Sequence, residues 1–175
     1  QINRDNVSQL QQAWVFHTGD VPTKRWGAET TPLKVGDSLY LCSARNQVIA
    51  LDASTGKQRW RYDPKVKDEA IPYTAACRGV SYYEVPTAAP AANDAAASQA
   101  ATAPALCRTR VIEGTLDGRL IALDARTGTP CADFGTHGQV DITVGMGETP
   151  PGYISINSPP AIVRGVVVIG HQVLD

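Results

Sequence analysis

The sequence is poor in several features that mark common protein classes. Its 175 residues include 16 basic and 17 acidic side chains, so no basic field exists to attract nucleic acid. No apolar run approaches the ~18–20 residues that a membrane-spanning helix needs, and the strongest, residues 166–169, has four. The four cysteines and three histidines lack the spacing of a zinc site. These absences exclude a nucleic-acid partner, a membrane span and a zinc domain within the chain.

What the sequence does contain indicates an all-β fold. Apolar residues make up 43% and charged residues 19% of the chain, values typical of a folded globular protein. The 15 glycines and 12 prolines place a turn signal every few residues, which long helices do not tolerate. Many short strands joined by tight turns fit this composition.

A repeat organises the chain. Residues 49–56 and 121–128 both read Ile-Ala-Leu-Asp-Ala-x-Thr-Gly and lie 72 positions apart. In a gapless alignment of residues 38–63 with 110–135, seven of 26 positions are identical, and a third copy begins over residues 159–169. Each copy predicts antiparallel strands joined by turns, so we interpret the chain as two blades of a β-propeller and the start of a third.

The repeat spacing exceeds the roughly 40–50 residues of a propeller blade. Residues 86–105 account for the excess, because they contain eleven Ala and three Pro with no apolar periodicity. We predict a flexible insert there, the alternative being an Ala-rich helix that Pro90 and Pro104 disfavour. Since a closed propeller has typically 4–8 blades, residues 1–175 are expected to be the N-terminal part of a larger propeller domain.

The repeat resembles the tryptophan-docking motif of pyrroloquinoline quinone (PQQ) dehydrogenases. Residues 50–60 read Ala-x-Asp-x-x-Thr-Gly-x-x-x-Trp, and residues 2–20 look like the opening of the catalytic domain of that family. Residues 77–82, Cys-Arg-Gly-Val-Ser-Tyr, and 158–160, Ser-Pro-Pro, resemble its membrane-bound glucose, quinate and shikimate branch. The resemblance implies a partial eight-bladed propeller that holds PQQ and a calcium ion, with magnesium as the alternative ion.

The same resemblance implies a function. It points to a fragment of a periplasmic dehydrogenase at the inner membrane of a bacterium. The enzyme would oxidise a sugar, a polyol or quinate/shikimate and pass electrons to ubiquinone. Glucose-type members often carry His at the position of Thr74, so a polyol or quinate-type substrate is favoured. No catalytic residue is expected in the fragment, which alone would be inactive without the remaining blades of the same chain.

Four residues are assigned to the cofactor by this resemblance. The planar guanidinium of Arg78 suits the carboxylates and o-quinone of PQQ. Glu29 can accept an N–H, and Asn157 and Ser158 offer an amide and a hydroxyl. The plain structural alternative is that the two charged residues are solvated and that Asn157 and Ser158 form a turn.

Four further residues take more peripheral expected roles. Gly170 and Gln172 resemble the family segment that passes under the cofactor ring. His17 stands where relatives often have Arg, and it is expected to line the same cavity. Asp175 aligns with an acidic calcium ligand, although one acid cannot make a calcium site alone.

Tryptophans and cysteines are given structural roles. Trp14 and Trp60 are predicted to pack on neighbouring blades, and the second repeat has Ala132 where the first has Trp60. Cys77 and Cys107 flank the insert, so a disulfide between them would close its base and indicate an oxidising compartment. Cys42 and Cys131 are left as either a second bridge or buried thiols.

A non-enzymatic function is the rival hypothesis. Tryptophan-docking repeats also build propeller scaffolds that hold no cofactor, and Arg78 and Glu29 would then be coincidental. The two hypotheses differ in whether the protein binds PQQ.

Overall fold

A computed structural model of the chain describes residues 2–20, 27–71, 76–86, 106–150 and 152–173. Within these ranges the chain forms β-strands and two 3-10 turns, Val7–Gln9 and Asp68–Ala70. No helix in the described ranges has the length and apolar character needed to cross a membrane.

The first sheet contains four strands in chain order. They are β1 (Leu33–Val35), β2 (Ser38–Cys42), β3 (Val48–Asp52) and β4 (Gln58–Tyr62), and each pairs antiparallel with the next. The pairing of β3 with β4 contains an irregularity that places Trp60 opposite Ala50. Strands β2, β3 and β4 match the three strands predicted from the first repeat, and β1 is a fourth strand that the repeat did not predict.

The second sheet repeats this plan. Its strands are β5 (Ser81–Glu84), β6 (Thr109–Gly114), β7 (Arg119–Asp124) and β8 (Gln139–Asp141), again antiparallel and in chain order. Two four-stranded sheets of one topology, joined in sequence, are the blades of a propeller. The predicted all-β, partial-propeller fold is therefore confirmed.

A third unit follows the second sheet. A hairpin forms from β10 (Ala161–Val163) and β11 (Val166–Val168). The short strand β9 (Ile154–Ser155) pairs antiparallel with β12 (Gln172–Val173). The hairpin lies where the third repeat was predicted to begin.

Strand β6 is buried on both faces, which gives the chain two main apolar clusters. Val111 lies in the cluster between the sheets, together with Tyr40, Cys42 and Trp60. The next residue, Ile112, points to the opposite face and packs in the second cluster because successive strand side chains alternate. That second cluster also contains Cys107, Leu120, Ala122, Cys131 and Ile156.

Tryptophan docking fixes how each sheet meets the next. The indole N–H of Trp14 donates to the carbonyl of Ala53 at 3.3 Å, and Trp60 donates to the carbonyl of Ala125 at 3.1 Å. Trp60 also lies on Gly128, which has φ +73° and where a Cβ atom would meet the ring at 2.6 Å. The predicted structural role of both tryptophans is confirmed, and a glycine is required under the ring.

The predicted Cys77–Cys107 disulfide is wrong. Cys77 pairs with Cys42, and Cys107 pairs with Cys131. The reason is the two-sided burial of the second sheet: Cys77 lies in the cluster between the sheets, whereas Cys107 lies in the cluster on the other face. Cys42 and Cys131 are therefore both in disulfides, Cys42 with Cys77 and Cys131 with Cys107. They do not pair with each other, and neither is a free thiol.

The predicted insert, residues 86–105, lies outside the described residues except for Pro86. Its flexibility stays a prediction.

Candidate functional site

Three segments that are distant in sequence meet at one edge of the sheets. The amide N–H of Thr31 donates to the carbonyl of Arg78 at 3.0 Å, and the amide of Arg78 donates to the carbonyl of Asn157 at 2.9 Å. Gly79 lies close under this ladder, with its Cβ direction 3.3 Å from the carbonyl oxygen of Thr31. The backbone of Arg78 is thus held from both sides, between the first sheet and the third unit.

The side chains of Arg78 and Glu29 form an ion pair at this edge. Nε of Arg78 donates to Oε2 of Glu29 at 3.1 Å, with side-chain exposures of 54% and 43%. In the part of the chain that the structure describes, the terminal guanidinium nitrogens of Arg78 have no partner. The pair therefore presents unused cationic donors beside a carboxylate acceptor, on a surface open to a ligand.

Asn157 and Ser158 join the same edge. The hydroxyl of Ser158 donates to Oδ1 of Asn157 at 3.3 Å, and Ser158 is exposed. Gln172 pairs in register with Ser155, two residues before Asn157, so β12 runs beside this segment. Gly170 precedes β12 and has open space around its Cα. The structure thus gathers Glu29, Arg78, Asn157 and Ser158 and sets β12 alongside them.

His17 is not brought into this arrangement. His17 is exposed on the N-terminal segment, next to Phe16, which packs against Leu41, Ile49 and Leu51. Among the described residues, no hydrogen bond or ion pair joins His17 to the edge. Asp175 lies outside the described residues, so its role as a metal ligand stays a prediction.

The Cys42–Cys77 disulfide lies directly behind the ion pair. Cys77 is 2% exposed and precedes the exposed Arg78, and its partner Cys42 is 1% exposed. The amide of Cys42 donates to Oγ1 of Thr30 at 3.3 Å, and Thr30 follows Glu29. One buried cystine therefore contacts the sequence neighbours of both members of the ion pair.

A buried carboxyl group supports the cystine from below. Oε1 of Glu113 lies 3.2 Å from Sγ of Cys77, which as a bridged sulfur has no proton to donate. Asn46 donates to the same oxygen at 3.2 Å, and Oε2 is buried without a partner among the described residues. Burial raises the pKa of Glu113 well above its ordinary value, against the opposing effect of the Asn46 hydrogen bond. Burial therefore favours the protonated, neutral form of Glu113.

Asn46 connects this carboxyl to both sheets. It sits in the left-handed region with φ 62° and is fully buried. Its Oδ1 accepts the amide of Leu116 at 3.0 Å, while Nδ2 reaches the carbonyl of Gly114 at 3.4 Å as well as Glu113. One side chain from the first sheet thus satisfies backbone groups at the end of β6.

Sequence reasoning missed Asn46, Glu113 and the Cys42–Cys77 pair. A signal for Glu113 was present, since a carboxylate inside the apolar β6 and just before Gly114 has no solvent-facing explanation. The close grouping of Cys42, Cys77 and Glu113 has the geometry of a metal site. Because both sulfurs are bridged, they cannot act as thiolate ligands.

A separate cleft of about 380 Å³ lies between the two sheets. Its walls include Tyr40, Tyr82 and Arg108. None of the predicted cofactor residues lines it, so it is not part of the edge described above.

Residues 1–175 match the PQQ family described as "Glucose/ethanol/alcohol dehydrogenase, beta-propeller domain". The chain belongs to this family. As a PQQ-type propeller chain, it is 48% identical over its whole length to the glycerol dehydrogenase large subunit of Gluconobacter oxydans (strain 621H) and covers 22% of that protein. It is also 41% identical over its whole length to the quinoprotein glucose dehydrogenase of Escherichia coli (strain K12), covering 21% of it.

Solved structures agree with this membership. The PQQ-type propeller chain superposes on a europium-containing methanol dehydrogenase with a TM-score of 0.65 and 28% identity, over 98% of this chain and 24% of that one. The chain therefore spans about a fifth to a quarter of the length of the relatives it matches.

Proposed function

We propose that the chain is the N-terminal part of a PQQ-dependent dehydrogenase that oxidises a small polyol or sugar. One observation carries the proposal: the Arg78–Glu29 pair, 3.1 Å apart, lies on a backbone that Asn157 holds at 2.9 Å. Three separate segments thus bring a cation, a carboxylate, an amide and a hydroxyl to one exposed edge. The family and its glycerol and glucose dehydrogenase relatives support the same conclusion.

The donor set at this edge fits PQQ. The cofactor has three carboxylates and an o-quinone, which the terminal guanidinium nitrogens of Arg78, unpaired among the described residues, can bind as a fork. Glu29 would accept the pyrrole N–H, and Asn157 and Ser158 would contribute polar contacts at the other side. Bound PQQ would supply the two-electron acceptor for the oxidation.

The residues of this chain would bind and orient the cofactor. Glu29 orients the Arg78 guanidinium through Nε, and the two outer nitrogens, which have no partner among the described residues, would bind the cofactor. The buried cystine and Gly79 behind Arg78 keep water from the protein side of the edge. Proton removal from the substrate belongs to residues beyond the described part of the chain.

The metal ion, the electron acceptor and the location of the enzyme are part of the same proposal. We propose calcium, with magnesium as the alternative, as the accompanying ion, with Asp175 as one ligand. The remaining blades complete the pocket, ubiquinone accepts the electrons, and the enzyme works at the periplasmic face of the inner membrane. The two disulfides are consistent with an oxidising compartment. The substrate class is a polyol, with glycerol, glucose and quinate as the compounds to assay.

Arg78→Ala in the full-length protein tests the proposal. A charge-assisted hydrogen bond contributes roughly 1.5–3 kcal/mol. Its loss should raise the Kd for PQQ at least about 10-fold in a fluorescence titration. The matched control is Arg108→Ala, which breaks the Arg108–Glu84 pair, similarly exposed at 44% and 58%. The control should leave the Kd unchanged. A wild-type protein that binds no PQQ and oxidises none of the three substrates would instead support the scaffold hypothesis.

A further inference from the structure

The position of Arg78 depends on groups buried behind it. Its own side chain is exposed, and the one hydrogen bond or ion pair that it makes with the described residues is the bond to Glu29. What holds the residue is its backbone, with Cys77 on one side and Gly79 on the other, both buried. The cystine that includes Cys77 is therefore the nearest covalent constraint on the edge.

The same cystine reaches the other half of the ion pair. Cys42 lies at the end of β2, where its amide donates to Thr30 Oγ1 at 3.3 Å and its sulfur lies 3.5 Å from that oxygen. Thr30 stands between Glu29 and Thr31, and Thr31 donates to the carbonyl of Arg78. The segments that carry Glu29 and Arg78 are therefore tied to each other twice, by the backbone bond and through the cystine.

Glu113 and Asn46 hold the Cys42–Cys77 disulfide against strand β6. Glu113 lies against Cys77 Sγ and is held by Asn46, which also bonds the backbone at the end of β6. The residue that follows β6, Thr115, bonds to the third unit, because its carbonyl accepts the amide of Ile156 at 3.0 Å. Ile156 precedes Asn157, the partner of the Arg78 amide. The contacts of Glu113 and Asn46 thus link the three segments that form the edge.

We propose that the Cys42–Cys77 disulfide is a positioning element of the cofactor site, which holds Arg78 and Glu29 in the geometry that binds PQQ. The inference rests on the proposed function. The second disulfide, Cys107–Cys131, lies on the opposite face of the second sheet, in the apolar cluster that includes Ile156, and among the described residues no hydrogen bond joins it to Glu29, Thr30 or Arg78. The two bridges are therefore expected to differ in their effect on cofactor binding, although both are buried.

The experiment compares two double variants of the full-length protein, C42A/C77A and the control C107A/C131A. Removing a group that orients a metal ligand typically costs 10–100-fold in metal affinity. Taking the lower end of that range for a bridge that orients Arg78, we expect the Kd for PQQ to rise about 10-fold in C42A/C77A and less than 2-fold in the control. At saturating PQQ, kcat of C42A/C77A should return to the wild-type value. A bridge needed only for folding would instead lower activity at every PQQ concentration, and that result would overturn the proposal.

Combination with Arg78→Ala sharpens the test. If the bridge acts through Arg78, the effect of R78A on the Kd should shrink in the C42A/C77A background and stay complete in the C107A/C131A background. Equal effects of R78A in both backgrounds would contradict the inference. If C42A/C77A does not fold, Thr30→Val tests the same connection with the bridge intact. It should raise the Kd about 2–3-fold by removing the hydroxyl that holds Cys42, and an unchanged Kd would count against the proposal.

The outcomes separate this inference from the proposed function. Wild-type protein that fails to bind PQQ would refute the function. Wild-type binding that is lost in R78A but retained in C42A/C77A would refute only the positioning role of the bridge.

Discussion

The indole N–H of Trp60 donates to the carbonyl oxygen of Ala125, 65 positions later in the chain, at 3.1 Å. The same oxygen accepts the hydroxyl of Tyr40 at 2.9 Å. A single backbone carbonyl of the second sheet thus receives two side-chain donors from the first sheet. This arrangement fixes the angle at which the two sheets meet.

Trp60→Phe should separate the hydrogen bond from the ring. An aromatic ring is kept, but the N–H and three ring atoms are lost, so the free energy of unfolding should fall by about 1–3 kcal/mol, of which the hydrogen bond accounts for about 0.5–1.5 kcal/mol. Trp60→Ala should cost about 3–5 kcal/mol, because Trp60 is only 8% exposed. Urea denaturation of the intact protein measures both. Trp14→Phe is the control, and it should cost less because Trp14 is only half-buried and its bond is longer, at 3.3 Å.

Gly128→Ala should destabilise the docking from the other side. The added methyl would lie 2.6 Å from the ring of Trp60 at a residue with φ +73°. Gly36→Ala is the matched control, since Gly36 also has positive φ, +57°, but nothing lies within 4 Å of its Cβ direction. The control should cost about 1–2 kcal/mol for backbone strain alone, and G128A about 1–3 kcal/mol more for overpacking. Equal losses in the two variants would show that the ring does not need the glycine.

Glu113→Gln should change how stability depends on pH. Because burial raises the pKa of Glu113 in the fold, unfolding lets it ionise, and the wild type loses stability as pH rises from about 4.5 towards the raised value. Gln stays neutral, so E113Q should equal the wild type at acidic pH and exceed it at pH 8. The difference should grow by at most about 1.4 kcal/mol per pH unit.

Thermal or urea unfolding from pH 4 to pH 8 measures this difference. Glu84→Gln, on an exposed residue of β5, is the control and should produce no growing difference. Parallel curves for the wild type and E113Q would mean that Glu113 is charged in the fold.

Asp124→Asn should remove a buried acceptor at the turn after β7. Oδ2 of Asp124 accepts the amide of Cys107 at 2.6 Å, and Oδ1 accepts the amides of Arg126 and Thr127, both at 3.0 Å. Burial would raise the pKa of Asp124, but the hydrogen bonds from Cys107 and Thr127 outweigh it and lower the pKa. The stability that this group contributes is present above its ordinary pKa and is lost as pH falls through the lowered one.

Asn offers one acceptor oxygen and turns an N–H₂ group towards a donor, so the variant should lose about 1–3 kcal/mol at pH 7. Asp141→Asn is the control, because Asp141 accepts Thr143 in a similar but exposed turn. It should cost less than D124N when both are measured by urea denaturation.

The sheets could be predicted from sequence because their signals are local. Strand β3 and the turn after it come from one run, in which Asp52 and Gly56 close a tight turn after four consecutive apolar residues. The repeat then carried the same interpretation to β7. Convergence of Arg78, Glu29 and Asn157 was expected only from the family resemblance, since no local pattern links three segments so far apart.

Disulfide pairing could not be predicted in this way. Cys77 and Cys107 flank the insert in sequence, but the pairing depends on which face of the second sheet each side chain reaches. Even neighbouring residues reach opposite faces of that sheet, as Val111 and Ile112 do. Glu113 was missed for a similar reason, because its burial depends on Asn46, which arrives from the other sheet.

Tryptophan docking runs in one direction along the chain, because the tryptophan of the first sheet packs on the sheet that follows it. The first sheet receives the ring of Trp14 and passes that of Trp60 to the second, whereas the second sheet has the exposed Ala132 at the corresponding position and passes none on. The next hairpin is held instead by aliphatic contacts of Ile162 and Val167 with the second apolar cluster. Among the described sheets, we therefore expect amide exchange to be faster at the boundary after the second sheet than at the boundary between the first and second sheets.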